Sequence, residues 1–207
     1  MKVVVKMLAA KDYNGLILAC EREIHRDSSN SQAYLYRGLA FSRLDRYRAA
    51  IADFEKGWSL TPCENSTFYE QAAHCYVAVA ENDKALSALD RSLNLNPTPS
   101  AWRVKGELLL SMHRAEEALK SFNSSLKLQP DDYWLLDDRA ICYAQMGRLQ
   151  DALNDRDKLI KLRPKEPRGY VNRAKLYDRL GRKELAAADR KQVAVLSPAM
   201  DFMDTAP

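Results

Sequence analysis

The side chains of this 207-residue chain best suited to chemistry are three histidines, four cysteines and two aspartate pairs, and they assemble no recognisable catalytic site. His25, His74 and His113 are isolated from one another. Acid–base or metal chemistry needs a histidine held beside a second functional group. His25 instead reads as the exposed end of a helix, His113 as part of a turn between helices, and His74 as one residue on a helix face. Cys20, Cys63, Cys75 and Cys142 include no C-x-x-C pair, so neither a zinc site nor a disulfide framework is indicated. Cys75 and Cys142 each precede a tyrosine, which favours packing over nucleophilic catalysis. Asp131-Asp132 and Asp137-Asp138 could suggest a cation or acid–base site, but the first pair follows a proline, where acids favour a helix N-terminus electrostatically. There is no Gly-rich phosphate loop, H-E-x-x-H or G-x-S-x-G. The chain is therefore expected to be no enzyme, with no catalytic residue, cofactor or metal.

The elements that carry these residues are legible in the spacing of the helix breakers. Seven Gly and eight Pro are few for this length, fewer than a β-rich or Rossmann-type domain would need for its turns and phosphate loops. Prolines at 62, 97, 130, 164 and 198 are 35, 33, 34 and 34 residues apart, each with a leucine two residues earlier. With that proline set as repeat position 32, five units begin at Ser31, Ser66, Pro99, Tyr133 and Pro167. Position 8 is then Gly38, Ala73, Gly106, Ala140 and Ala174, and position 20 is Ala50, Ala85, Ala118, Ala152 and Ala186. Position 4 is Tyr34, Tyr69, Trp102, Leu136 and Tyr170, and position 11 is Phe41, Tyr76, Leu109, Tyr143 and Tyr177. Large residues at 4 and 11 around a small one at 8 mark one face of a helix over positions 2–14. Alanine at 20 with apolar residues near 28 and 30 marks a second helix, which the proline stops. Small residues at 8 and 20 let the two backbones approach closely.

These residues resemble the tetratricopeptide repeat (TPR) family, whose 34-residue helix–turn–helix unit carries this pattern and closing proline. The resemblance covers residues 31–198 in five units (31–64, 66–98, 99–132, 133–166 and 167–198). An incomplete unit over residues 1–30 precedes them, with residues 3–10 as a shortened first helix, and a tail follows at 199–207. The fold expected is all-α, a right-handed α–α superhelix forming one continuous domain. Position 24, usually aromatic in the family, is Phe54, Leu89 and Phe122 but then Arg156 and Arg190. Arg occupies position 7 in the three units that have Asp at 23: Arg37 with Asp53, Arg139 with Asp155, Arg173 with Asp189. With a turn near positions 15–16, positions whose numbers sum to 30 or 31 face each other, which predicts three Arg–Asp pairs inside hairpins.

The resemblance further implies that first helices line a concave groove through positions 2, 5, 6, 9, 12 and 13. In this chain those positions include Gln32, Leu35, Tyr36, Leu39 and Arg43; Glu70, Gln71 and His74; Arg103 and Glu107; Trp134, Asp137, Asp138 and Ile141; and Arg168, Asn172, Lys175 and Arg179. The first group is apolar and the last basic, a surface suited to an extended peptide or a helix of a partner protein. TPR co-chaperones clamp the C-terminal carboxylate of Hsp70 or Hsp90 with Lys and Asn, then Asn, then Lys and Arg. The best frame here offers Arg103 and Glu107, then Asp138, then Arg168 and Asn172, and the two acids would repel a carboxylate.

Charge narrows the partner. The formal net charge is +4, and residues 163–191 alone hold ten basic and four acidic side chains. The basic character belongs to one end, where an acidic segment is the expected ligand, and nucleic acid is not an expected partner. No stretch approaches the roughly 18 apolar residues of a membrane span, and the N-terminal segment is interrupted by Lys6, Lys11 and Asp12, so no membrane insertion is expected. Unpaired thiols point to a reducing, cytoplasmic setting. Two roles remain open: an interaction scaffold or adaptor that binds a partner in the groove, or a homo-oligomeric scaffold assembling through the repeat ends. The second draws on Met200, Phe202 and Met203 in the tail.

Overall fold

The computed structural model describes residues 2–197. Pro198, which closes the fifth unit, and the tail with Met200, Phe202 and Met203 lie outside the described residues. Among the described residues the secondary structure is twelve α-helices and no strand: α1 (Lys2–Ala9), α2 (Tyr13–Arg26), α3 (Ser31–Arg43), α4 (Tyr47–Leu60), α5 (Ser66–Ala78), α6 (Asn82–Leu95), α7 (Pro99–Ser111), α8 (Ala115–Leu128), α9 (Tyr133–Gln145), α10 (Leu149–Leu162), α11 (Pro167–Arg179) and α12 (Lys183–Leu196). In every one of the five units the first helix fills positions 1–13 and the second 17–30, one residue earlier at the first helix than the periodicity predicts. The chain divides into two compact units, residues 1–101 and 102–207, each built of hairpins in which a helix packs on its neighbour in sequence.

Local chemistry sets both ends of each hairpin. Four of the five full first helices start at side-chain caps: Asn30, Asn65 and Asp132 accept from backbone N–H groups one turn in, as does Thr98 from Ala101, and Asp12 caps the second helix α2 in the same way. Such a cap satisfies a donor that would otherwise be orphaned. This assigns Asp132 a structural role. Its neighbour Asp131 pairs with Lys158 at 2.8 Å. Every hairpin turns through a left-handed residue at position 15, with φ between 55° and 74° at Lys11, Asp45, Ala80, His113, Gly147 and Gly181. Two of the six are the glycine that this conformation favours.

Between the helices of a hairpin the contacts follow the repeat. The alanines at position 20 are all fully buried. Glycine at position 8 coincides with phenylalanine at 24, and a Cβ on Gly106 would stand 2.5 Å from the Phe122 ring; on Gly38 it would stand 3.1 Å from Phe54. Where position 24 is Leu or Arg, position 8 is alanine. The three Arg–Asp pairs form as expected, each as a two-pronged fork: Arg37–Asp53 at 2.7 and 2.8 Å, and Arg139–Asp155 and Arg173–Asp189 at 2.8 and 2.6 Å. Arg139 and Arg173 use their remaining Nη1 to reach back to the preceding second helix, donating to Asn123 at 2.7 Å and Asp157 at 2.6 Å. The hydrogen bond to the aspartate holds each of these guanidiniums above its ordinary pKa. Paired charges at this depth specify which surfaces meet more securely than they add net stability.

Candidate functional site

The face formed by first helices is described unit by unit. In the first unit, α3 and α5 present Tyr36, half-buried and edge-on to Phe68 at 5.3 Å, with Gln32 and Arg43 exposed. Gln71 is half-buried beside them, and exposed His74 meets the Tyr47 ring edge at 5.6 Å. Two residues expected in the groove are not available to a ligand. Leu35 is 1% exposed and Leu39 is buried. Leu35 lies so close over Gly57 that a Cβ there would come within 2.8 Å of it, so position 5 of this repeat faces the second helix rather than solvent. Five residues shorter than α3, α1 borders a cleft of about 780 Å³ lined by Val4, Ala19, Cys20, Glu23, Gln32 and Tyr36.

The second unit carries the denser chemistry. Arg103 on α7 donates to Glu107 one turn on at 2.7 Å and lies 3.3 Å from Asp138 on α9. Burial first, and the Glu107 carboxylate second, push Asp138 up to about 6 against the pull of Arg103. Beside it, Asp137 is not a groove residue but a buried one. It accepts from Arg156 on α10, also buried, and from Arg168 on α11 at 3.1 Å. Arg156 thus occupies the position held by Phe54 and Phe122 in other repeats, with Asp137 as its counter-charge. Burial and the nearby Arg168 pull its guanidinium down to about 10, so it stays charged at neutral pH.

Arg168 is the outward member of this triad. Its side chain is 52% exposed and its guanidinium stands 5.6 Å from the centre of the Trp134 ring, which is itself 46% exposed. Trp134 also meets Tyr133 edge-on at 5.2 Å, and Arg163 lies over both rings. A cation over an indole face is attracted by the ring quadrupole. Two arginines share one aspartate, so the triad carries a net positive charge. Further along α11, Asn172 is half-buried, Lys175 is exposed, and exposed Arg179 donates to the Ala144 carbonyl at 3.0 Å. The expected basic cluster is therefore graded: Arg168 is held, Arg179 is tethered to backbone, and Lys175 stands in solvent.

The arrangement brings charged and aromatic side chains together on this face. Among the described residues no group of three or more His, Cys, Asp or Glu is placed to hold a metal. Cys20, Cys75 and Cys142 are free and buried, and burial raises each thiol, Cys20 to about 11, away from the thiolate form. Among the described residues no helix is long and apolar enough to cross a membrane. Sequence reasoning left out the Asp137–Arg156 pair, although its signal was present: position 5 is Asp only in repeat four, where position 24 is Arg, and 5 and 24 sum to 29.

Comparison with known proteins agrees with this architecture. Residues 67–133 match the model of the tetratricopeptide repeat family. The Hsp70-Hsp90 organizing protein of Triticum aestivum is 27% identical over 127 residues, 61% of this chain. That stretch is 22% of the wheat protein, so the chain spans about a fifth of that relative. Among solved structures, the C-terminal part of a TPR repeat-containing protein from Cytophaga hutchinsonii superposes with a TM-score of 0.84 at 14% identity, covering 95% of this chain and 79% of the other. YrrB, a TPR protein described as having an unusual peptide-binding site, gives 0.75 at 18% identity over 88% and 94% of the two chains. MamA gives 0.75 at 16% identity over 87% and 98%.

Proposed function

The chain is a tetratricopeptide repeat protein, and on that premise we propose that it is a non-catalytic interaction module that receives an acidic segment of a partner protein on the first-helix face of its second unit. The observation that carries this reading is Arg168, held from below by Asp137 and laid against the exposed Trp134 ring. A guanidinium already ordered loses less entropy when a carboxylate arrives, and the adjoining indole offers an apolar contact to the next side chain. Lys175 extends the positive surface along α11. The acids Glu107 and Asp138 border it on the other side, so the partner's acidic group is directed to Arg168 rather than to Arg103. The similarity to an organizing protein named for Hsp70 and Hsp90 and to a peptide-binding TPR protein supports the same class of role. The mode differs from a carboxylate clamp, because Glu107 and Asp138 stand where that clamp needs neutral or basic residues.

Panning the full chain against a random peptide display library tests the proposal. Enriched peptides should pair Asp or Glu with a large apolar neighbour. Their affinity should fall about tenfold or more in Arg168→Glu, and its salt dependence should flatten in the Lys175→Glu, Arg179→Glu double variant. Enrichment of basic peptides, or equal affinity for wild type and Arg168→Glu, overturns it.

A further inference from the structure

Of the five full first helices, α11 alone opens without a side-chain cap: Glu166 makes no such bond, and Pro167 follows it. Proline has no N–H, so the first donors of α11 are those of Arg168 and Gly169, and they lack the side-chain acceptor that the sister helices supply. A second, independent observation lies beside this helix end. Tyr133 is 5% exposed, and its hydroxyl is buried without a hydrogen-bond partner. The charged groups that act on it, strongest first, are Glu166, Arg168, Arg156 and Arg163, which sets the hydroxyl against the start of α11. Exposed Arg163 lies over the Tyr133 ring at 4.5 Å and 6.0 Å from the Trp134 ring, the same indole that Arg168 approaches to 5.6 Å.

We propose that this helix end binds a phosphate monoester, carried on a phosphorylated side chain of the partner segment. The proposal rests on the acidic-segment reading above and narrows it. A phosphate monoester carries about −1.5 to −2 at neutral pH, and its oxygens accept hydrogen bonds. The groups gathered here can all donate: two guanidiniums, two backbone N–H groups and one phenol. Arg163 forms no ion pair among the described residues. It is held only by ring contacts, so it can swing onto the ligand, and that motion uncovers the Tyr133 hydroxyl. Four cations (Arg156, Arg163, Lys165 and Arg168) stand against two acids (Asp137 and Glu166), a surplus of two, while Asp132 is committed to the α9 cap. A carboxylate answers one of those charges and a monoester answers both. A nucleic-acid strand brings one charge per phosphate and needs a run of such sites, whereas Glu107 and Asp138 interrupt the basic surface here.

Nuclear magnetic resonance titration of the isotope-labelled full chain tests this with two probes, N-acetyl-phosphoserine amide and N-acetyl-glutamate amide, at fixed ionic strength. The phosphoserine probe should shift the amides of Arg168 and Gly169 and the indole N–H of Trp134. It should bind at least about fivefold more tightly than the glutamate probe. Arg163→Gln should bring the two probes level. Tyr133→Phe should weaken the phosphoserine probe about three- to tenfold yet leave Tm unchanged or raised, since it removes only an unpaired buried hydroxyl. Equal affinity of the two probes in the wild type, at the same amides, refutes the phosphate assignment and leaves the acidic-segment reading standing. Absence of any shift at Arg168 with either probe counts against both. Tighter binding of a uridine oligonucleotide at equal phosphate concentration, lost in Arg163→Gln, assigns the site to a nucleic-acid backbone and overturns the protein-borne source.

Discussion

The Asp137–Arg156 pair replaces an apolar contact, and exchanging it back is a quantitative test of how this fold is held. In repeat one, positions 5, 8 and 24 are Leu35, Gly38 and Phe54, and the leucine and phenylalanine are buried. In repeat four they are Asp137, Ala140 and Arg156, and all three are buried. Removing one partner of a buried pair leaves an uncompensated charge and costs about 3–5 kcal/mol, whereas replacing the whole pair with packed apolar groups is often neutral or stabilising. Asp137→Leu strands Arg156. Arg156→Phe strands Asp137 with only the half-exposed Arg168, and also brings a ring against the Ala140 Cβ, the clash that Gly106 avoids with Phe122. Each single variant should lose about 3–5 kcal/mol. For a unit of this size that lowers Tm by about 12 °C or more. The triple variant Asp137→Leu, Ala140→Gly, Arg156→Phe should return to within about 1 kcal/mol of wild type, the new glycine costing up to about 1 kcal/mol of helix propensity. Urea and thermal unfolding followed by circular dichroism measure all of these. Single variants that lose under about 1 kcal/mol, or a triple variant as unstable as the singles combined, would refute the reasoning.

The same variant separates stability from binding. The triad carries +2 from two arginines and −1 from Asp137, a net +1, and the triple variant retains +1 on Arg168 alone. The local net charge is unchanged, so a weaker grip on acidic peptides reports the lost positioning of Arg168. Ordering one long side chain costs about 0.5–1.5 kcal/mol, which sets the expected loss at about 2- to 10-fold.

Three other outcomes follow from single sites. Asp138 binds its proton more tightly in the fold, at about 6, than at its ordinary value of 3.8, so between those pH values the folded chain holds more protons and stability falls as pH rises. Asp138→Asn should remove that slope and stabilise the second unit by about 1–3 kcal/mol at pH 7, less whatever the Arg103 contact contributes; denaturation midpoints at pH 4, 5, 6 and 7 will show it, and a slope that survives the substitution counts against it. Ala80 sits at φ 62°, a conformation costly to any residue with a Cβ, so Ala80→Gly should raise the unfolding free energy by about 0.5–1 kcal/mol, and a lower Tm would contradict this. Arg173→Lys keeps the charge but cannot span Asp189 and Asp157 with a planar fork, so Tm should drop despite the conservative change, and an unchanged Tm would show the fork to be dispensable.

Which parts of the molecule were legible in sequence follows from how many times each was repeated. A feature copied through the units, such as the alanine at position 20, the close approach at position 8 or the turn at 15, averages out local accidents, and the structure places it where the spacing demands. The Arg–Asp forks were readable because co-occurrence in three of five units carries a geometry, since positions summing to 30 oppose each other across the turn. The groove residues lacked that redundancy. Position 5 holds Leu35, Glu70, Arg103, Asp137 and Val171, and its side chain leaves the helix at the margin between groove and hairpin interior. A leucine there turns inward over Gly57, a long arginine such as Arg103 extends to solvent, and an aspartate goes inside only because Arg156 waits opposite. Orientation at a marginal position is thus decided by a partner on another helix and not by the repeat number. The proposed site is built from such positions: Asp137 turns inward, and Arg168 reaches it from the outer side, against Trp134.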